Sequence, residues 1–388
     1  MADTSAPAKP SHHIGNTSGA ARFLNPWLSE WTEKSLFEVF RWQQARKKLG
    51  VSMDGWLEGI PYPKTEDFTR AFPLLVPDQA ALAAPPADAI QAHWVGHATV
   101  LVQMAGLKFI TDPIFSTRCS PVQWFGMKRV VPAAMQADDP GLKDLDFVLI
   151  SHNHYDHLDD TSVKCLNKRF GNNLTWYVPL GVKEWFESRG MSQNVVELDW
   201  WQEVKHKDTK TSVIMVPAMH WSARGLMDRR HSLWGGYVVK SKAPAQTFYF
   251  AGDTGYCEVF KEIGERLGPM DLSAIPTGAY SPRWFMKSQH VDAAEGLQIH
   301  RDVKSKRSLA IHCCTWQLTD EALDEPPRLL AEELANTKGD PGEFITLQHG
   351  EKLVVRDGQT LNQPKLLPLP LVPGQQTQSG KVDGDQQP

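Results

Sequence analysis

DFVLISHNHYDHLDD, residues 146–160, joins an apolar strand to a dense run of potential metal ligands, and that junction constrains the fold. Five residues from Phe147 to Ser151 read as an apolar strand, and the chain then runs directly into His152, His154, Asp156 and His157. In extended backbone, residues two apart point the same way, so His152 and His154 can reach one metal ion. The turn that follows swings Asp156 and His157 toward a second. Imidazoles and a carboxylate suit Zn(II), with iron or manganese as alternatives of the same ligand type. Four potential ligands within six residues at a strand end are hard to explain as packing.

Three further candidates end later strand patterns: His220 after VIMVPAM, Asp253 after TFYFAG and His312 after SLAI. If those strands align, the ends share one edge. His152, His154 and His220 then serve one ion, Asp156, His157 and His312 the other, and Asp253 lies between them. Taken singly, His220 or His312 is as well read as a structural histidine; the first motif changes that reading.

Around this motif, Val-, Ile- and Phe-rich runs alternate with helical patterns. Strands are expected at 93–104, 107–111, 146–151, 174–178, 194–198, 212–217, 234–240, 246–252, 271–276, 308–312 and 344–355. Helices are expected at 161–169, 181–189, 257–267, 291–301 and 324–338. So many strands with so few helices exceed a plain doubly wound sheet, and the expected class is α/β, with two sheets packed together and helices outside. Residues 1–20 and the Pro-, Gly- and Gln-rich 359–388 are expected to be disordered. The 21–91 segment, with Phe23, Leu24, Trp27, Leu28, Trp31, Phe37, Phe40 and Trp42, reads as an amphipathic N-terminal extension that packs on the core, faces a membrane, or does both. The catalytic domain is expected over 92–358.

Composition narrows the class. The 388 residues carry 41 Lys plus Arg against 45 Asp plus Glu, a net charge of -4, so no general basic field exists for nucleic acid, and lipid or phosphate contacts must be local. The 5 cysteines form no CxxC spacing, which argues against a disulfide framework or a thiolate zinc site. No secretory signal and no membrane-spanning run is read, so the expected location is intracellular, cytoplasmic or peripheral on an internal membrane.

The HxHxDH run with later His, Asp and His resembles the metallo-β-lactamase superfamily, whose αββα sandwich carries a binuclear metal site at one edge. WVGHATVLVQ (94–103) and FITDPIF (109–115) look like the opening strands of its lactonase-like branch. Most of 21–355 resembles the N-acylphosphatidylethanolamine-hydrolysing phospholipases D, through RFLNPW (22–27), VPLGV (178–182), ELDWW (197–201), LMD (226–228), YFAGDTGYC (249–257) and PRWFMKSQHVD (282–292). Two departures stand out: Cys313 and Cys314 follow His312 where Trp and Gly are expected, and WSARG follows His220 where a more basic segment is expected.

The resemblance implies two Zn(II) ions, attack of a metal-activated hydroxide on phosphorus, and release of N-acylethanolamine with phosphatidic acid left behind, a step in lipid degradation. It implies that Asp253 bridges the ions and that Asp156 binds one of them and helps hold the hydroxide. His290 would touch the phosphoryl group or protonate the leaving alkoxide, and its plainer reading is a capping or solvated histidine. Tyr155 would contact substrate or simply pack. Asp112 is either an ordinary turn residue before Pro113 or the acceptor that orients a ligand imidazole. His349 would line the substrate cavity or support the site from behind. The expected partners are the lipid and a membrane surface, with homodimerisation implied by the family. A lactonase or another phosphodiesterase keeps the same metals with another substrate; a di-iron redox protein or an inactive scaffold keeps only the fold.

Overall fold

Alternate residues along the early strands face two different cores. In Leu107–Thr111, Leu107 and Phe109 point one way and Ile110 the other; in the next strand Phe147 and Leu149 oppose Val148, and Tyr177 opposes Trp176 and Val178. A sheet buried on both faces must be covered on both, which here means a second sheet on one side and helices on the other.

The computed structural model describes residues 11–14, 22–27, 31, 34–48 and 70–368, apart from 208 and 226. The first sheet holds β3 (Ile90–Gly96), β4 (Thr99–Met104), β5 (Leu107–Thr111), β6 (Phe147–Leu149), β7 (Thr175–Pro179), β8 (Val195–Leu198), β16 (Lys352–Arg356) and β17 (Gln359–Thr360), in the order β17-β16-β3-β4-β5-β6-β7-β8. The second holds β9 (Glu203–Lys205), β10 (Thr211–Val216), β11 (Gly236–Lys242), β12 (Ala245–Phe250), β13 (Leu272–Pro276), β14 (Ser308–Ile311) and β15 (Phe344–Ile345), in the order β15-β14-β13-β12-β11-β10-β9. A short ribbon pairs β1 (His13–Ile14) with β2 (Arg22–Phe23).

Between the sheets lies the larger core, where Phe109 stacks on Phe147 at 4.5 Å and meets Phe248 of the facing sheet edge-on at 5.7 Å. The helix Asp160–Phe170 covers the other face of the first sheet with Val163 and Leu166. Helices Val259–Arg266, Ala293–Asp302 and Glu325–Asn336 flank the second sheet, burying Phe260, Leu297 and Leu330. The result is the expected αββα sandwich.

Direction of travel positions the site. β5 to β8 run parallel, and β3, two antiparallel steps from β5, runs with them. In the second sheet β12 to β15 are parallel and β10 runs with them for the same reason. The turns after the C-terminal ends of β3, β5, β6, β10, β12 and β14 carry His97, Asp112, His152, His220, Asp253 and His312.

Several boundaries differ from the sequence reading. The run 93–104 is two antiparallel strands, because Gly96 (φ +132) and His97 (φ +54) reverse the chain. The run 344–355 is also two strands, β15 in one sheet and β16 in the other. Disorder was expected over 1–20 and from 359, yet His12 is buried against Trp200 and Leu367 is 4% exposed. Both stretches have apolar or aromatic side chains that the core accepts, which composition alone does not reveal. Residues 1–10, 15–20 and 369–388, like Leu28, lie outside the described residues. The aromatic N-terminal segment divides in two: Phe23 is buried and Trp27 and Trp31 lie against the core, whereas Phe37 and Phe40, on the helix Leu36–Lys48, are exposed.

Phe147→Ala removes a ring from the centre of the inter-sheet core, and we expect a loss of about 3–5 kcal/mol in urea unfolding. A loss under about 1 kcal/mol would contradict this packing.

Candidate metal centre

Just beyond β6 the backbone leaves the sheet, and the helix that begins at Asp160 fixes its return. Asp159 caps that helix by accepting from Ser162 N at 3.0 Å, and Arg224 braces the intervening loop by donating to the carbonyls of Asn153 (2.9 Å) and Leu158 (2.7 Å). Within this frame His152 Nε2 lies 2.8 Å from His154 Nδ1, and His220 Nε2 lies 3.3 Å from the same nitrogen. These three form one group of potential ligands; Asp156, His157, His312 and His97 form another.

One oxygen of Asp253 stands between the two groups. Its Oδ2 is 3.1 Å from both His157 Nε2 and His312 Nε2, 3.8 Å from His220 Nε2 and 3.9 Å from His152 Nε2. Asp156 Oδ2 is 3.3 Å from His157 Nε2 and 3.4 Å from His312 Nε2. Gly252 (φ +64) makes this approach possible, since a Cβ there would sit 2.7 Å from Ser151 Cβ. His97, Asp112 and His312 are also held at positive φ, at +54, +32 and +58. Such conformations cost on the order of 1–3 kcal/mol each and persist where surrounding contacts enforce them.

The hydrogen bonds behind the rings decide which nitrogens are bare. His220 Nδ1 donates to the Gln289 carbonyl at 2.9 Å, a group that can only accept, so a neutral His220 presents a lone pair at Nε2. His157 Nδ1 donates to Asp112 Oδ2 at 2.6 Å, which points its Nε2 lone pair at the centre. The buried His157 Nε2, His312 Nε2 and Asp253 Oδ1 have no hydrogen-bond partner. Buried electron-pair donors left unpartnered in one place are what a cation would satisfy.

Electrostatics point the same way. Burial opposes charge on every group here. It holds His154 down to about 4 and His220 to about 3. For His312 burial is outweighed by Asp253 and Asp156, and its pKa rises to about 9; His157 is likewise held well above its ordinary value. Asp156 and Asp253 are pulled well below the usual carboxylate range despite burial, chiefly by His157. The two carboxylates thus draw positive charge into a buried site, and divalent ions supply it in a form that leaves the imidazoles neutral. The residues present fit a metal centre.

All seven expected ligand candidates are therefore brought together. Asp112 is the acceptor of the two alternatives, taking His157 Nδ1–H, Ser151 N–H at 2.7 Å and the Ser151 hydroxyl. His290 joins the rim: its unpartnered Nδ1 lies 3.9 Å from Asp253 Oδ2, and its ring stacks on His312 at 5.3 Å. The Tyr155 hydroxyl is engaged elsewhere, donating to the Arg224 carbonyl at 2.9 Å, with the Arg224 guanidinium 4.1 Å from its ring. His349 is fully buried behind the site, stacked on Trp94 at 4.2 Å and 3.2 Å from Thr315 Oγ1, which accepts from His97 N. His97 itself was missed as a candidate. Its Nε2 is 3.0 Å from Asp156 Oδ2, and the available signal was a histidine ending a strand, obscured because WVGHATVLVQ reads as one strand.

Asp112→Asn keeps the size of the acceptor but removes its charge. We expect a 10–100-fold weaker metal affinity by equilibrium dialysis with the circular dichroism spectrum unchanged; unaltered affinity would count against this role.

Residues 108–313, more than half of the chain, match the beta-lactamase superfamily domain. The N-acyl-phosphatidylethanolamine-hydrolyzing phospholipase D 1 of Caenorhabditis elegans is 43% identical over 269 residues, 67% of this chain and 74% of that protein. The mitochondrial N-acyl-phosphatidylethanolamine-hydrolyzing phospholipase D of Saccharomyces cerevisiae is 35% identical over 250 residues, 63% of this chain and 52% of the yeast protein, so the match spans about half of that relative. Among solved structures, a possible metal-dependent hydrolase from Veillonella parvula shares the fold, with a TM-score of 0.54 at 16% identity, covering 68% of this chain and 98% of the other.

Proposed function

The chain belongs to the metallo-β-lactamase superfamily and, within it, to the family of the N-acyl-phosphatidylethanolamine-hydrolyzing phospholipases D, metal-dependent hydrolases, and on that premise we propose that it cleaves N-acylphosphatidylethanolamine to N-acylethanolamine and phosphatidic acid. The observation that carries the reading is Asp253 Oδ2 standing between two convergent ligand groups, the arrangement a binuclear hydrolase needs. In the proposal His152, His154 and His220 would hold one Zn(II) ion and Asp156, His157 and His312 the other, with Asp253 placed to serve both. Bound there, two ions supply an activated water at neutral pH and offset charge on a phosphodiester.

The chain's own residues set the geometry. Asp156 and Asp253 hold the acceptor positions that orient the attacking water. His290 sits beside them, on the segment that follows the short helix Arg283–Met286, and offers a ring N–H to a phosphoryl or departing oxygen. Asp112 and the Gln289 carbonyl fix two imidazole tautomers. Tyr155, with its hydroxyl bonded to Arg224 O, positions the ligand loop and leaves its ring edge as the part that could meet substrate.

For the lipid, the proposal uses the exposed aromatics next to this segment. Trp42 stacks on Phe285 at 4.9 Å, Arg41 lies 5.2 Å from the Trp284 ring, and Phe37, Phe40 and Trp284 are 72%, 56% and 46% exposed. Such a face suits the interfacial zone of a bilayer. No helix among the described residues is long and apolar enough to cross a membrane.

Hydrolysis of N-acylphosphatidylethanolamine in mixed micelles tests the chemistry, with both products quantified. Wild type is expected to release the two in equal amounts, and His154→Ala and Asp253→Asn to lose at least 100-fold in rate. A folded, zinc-loaded wild type that forms neither product would remove the lipid assignment. The lipid face is tested separately, by Phe37→Ser with Phe40→Ser, because deleting residues 1–48 would also strip Phe23 from the core. We expect several-fold weaker co-sedimentation with liposomes while metal content is retained; undiminished binding would assign the contact elsewhere.

A further inference from the structure

A second place where metal-binding side chains converge shares no residue with the centre described above. At the end of β8, His12 Nε2 is 2.7 Å from Asp199 Oδ1 and His13 Nε2 is 2.8 Å from Asp199 Oδ2. The three ligand atoms lie within 4.8 Å of one another. The geometry points to a third metal site here: a Zn(II)-class divalent ion bound by His12, His13 and Asp199, clasping the N-terminal arm to the first sheet.

The site is built rather than casual. His12 stacks on Trp200 at 4.2 Å, His13 meets Phe23 edge-on at 5.1 Å, and the two imidazoles stand at 77° to each other with centroids 4.5 Å apart. Asp199 is itself anchored, accepting from Trp200 N at 2.8 Å and donating its own N–H to Gln202 Oε1 at 3.0 Å. The ion pairs described for Asp199 are to these two histidines, and each counts as a charge pair only when the imidazole is protonated. As hydrogen bonds to a carboxylate these contacts place a proton on each Nε2; a divalent ion would take that proton's place, with each ring keeping its N–H at Nδ1. Two imidazoles and a carboxylate are a borderline ligand set that suits zinc, and nickel or copper also. With bonds near 2.0–2.1 Å, ligand atoms around a tetrahedral ion stand roughly 3.3 Å apart, so the 2.7 and 2.8 Å nitrogen–oxygen contacts widen by about half an ångström when it binds, and the two nitrogens come to the same spacing from a separation within 4.8 Å. His13 and Asp199 are partly exposed, which leaves an entry path and a position for water.

The clasp has a structural consequence. It fixes the arm whose next residues reach the catalytic edge: Phe23 N donates to Arg230 O at 3.0 Å, and Asn25 Nδ2 donates to the carbonyl of His220 at 2.8 Å. The site is independent of the reaction proposed above and stands or falls separately.

The test counts metal in the full chain. Wild type, His12→Ala with His13→Ala, and Asp199→Asn are loaded with Zn(II), dialysed against metal-free buffer and measured for zinc per chain, after circular dichroism confirms folding. The expected result is one more ion per chain in wild type than in either variant. Equal counts in all three would overturn the site and leave a hydrogen-bonded contact only. A second measurement uses wild type alone, so that it holds even if a variant fails to fold. Carbethoxylation of the peptide containing His12 and His13, read by mass spectrometry, should fall at least fivefold when Zn(II) is added back to chelator-treated protein; an unchanged rate would also overturn the proposal.

Discussion

A carboxylate oxygen buried among imidazoles is the constraint on which the rest of the structure turns. Asp253 is 4% exposed, and its Oδ2 lies within 4 Å of His152, His157, His220, His290 and His312. Burying that charge is affordable only if the neighbours are held where they can answer it. Holding them requires the ends of strands from both sheets to meet at one edge. The inter-sheet core, with Phe109, Phe147 and Phe248 at its centre, is what keeps those ends in register.

Parallel strands make this arrangement economical. Each β-to-α turn after a parallel strand emerges on the same side, so a ligand placed immediately after β6, β12 or β14 reaches the centre with no long excursion. The antiparallel pairs at β3/β4 and β10/β11 extend the same logic by an even number of reversals, which is why His97 and His220 arrive there as well. The outer contacts then act on ring orientation. Asp112 reaches across from the end of β5 to His157 and Ser151, and in the other half of the sandwich the Gln289 carbonyl, on the segment after the helix Arg283–Met286, reaches His220. Each half of the sandwich therefore orients a ligand, so the centre depends on both halves being folded and packed.

The parts of this arrangement that were legible in the sequence are the local ones. DFVLISHNHYDHLDD announces itself because its ligands are adjacent and its strand is apolar on both faces. His220, Asp253 and His312 were readable only through analogy of position, each closing an apolar run. What sequence pattern hides is reversal inside an apolar stretch: WVGHATVLVQ stays hydrophobic through its turn because both arms are buried, so His97 looked like mid-strand rather than strand end. The same effect merged β15 and β16, although the residues between them carry the chain from one sheet to the other and place His349 behind Trp94. Side-chain direction was the other limit. Tyr155 lies between two ligands, yet its hydroxyl is turned to Arg224, an outcome fixed by a residue nearly seventy positions away.

The N-terminal arm shows how a segment of unpromising composition becomes part of such a site. Nothing in its opening of mostly small and polar residues, MADTSAPAKPSHHIGNTSGA, predicts a packed element, and by itself a pair of two-residue strands cannot hold together. It is fixed instead by contacts far apart in sequence, His12 and His13 on Asp199, Phe23 in the inter-sheet core and Asn25 on the His220 carbonyl. The Asn25 bond satisfies the backbone of a residue whose ring points at the metal centre. Gln289 holds the same histidine by its Nδ1, so His220 is pinned from the arm at its carbonyl and from the opposite side at its ring. A histidine held at its backbone carbonyl and at its Nδ1 keeps its Nε2 aimed without needing the ion to aim it, which is the preorganisation that a hydrolytic centre requires.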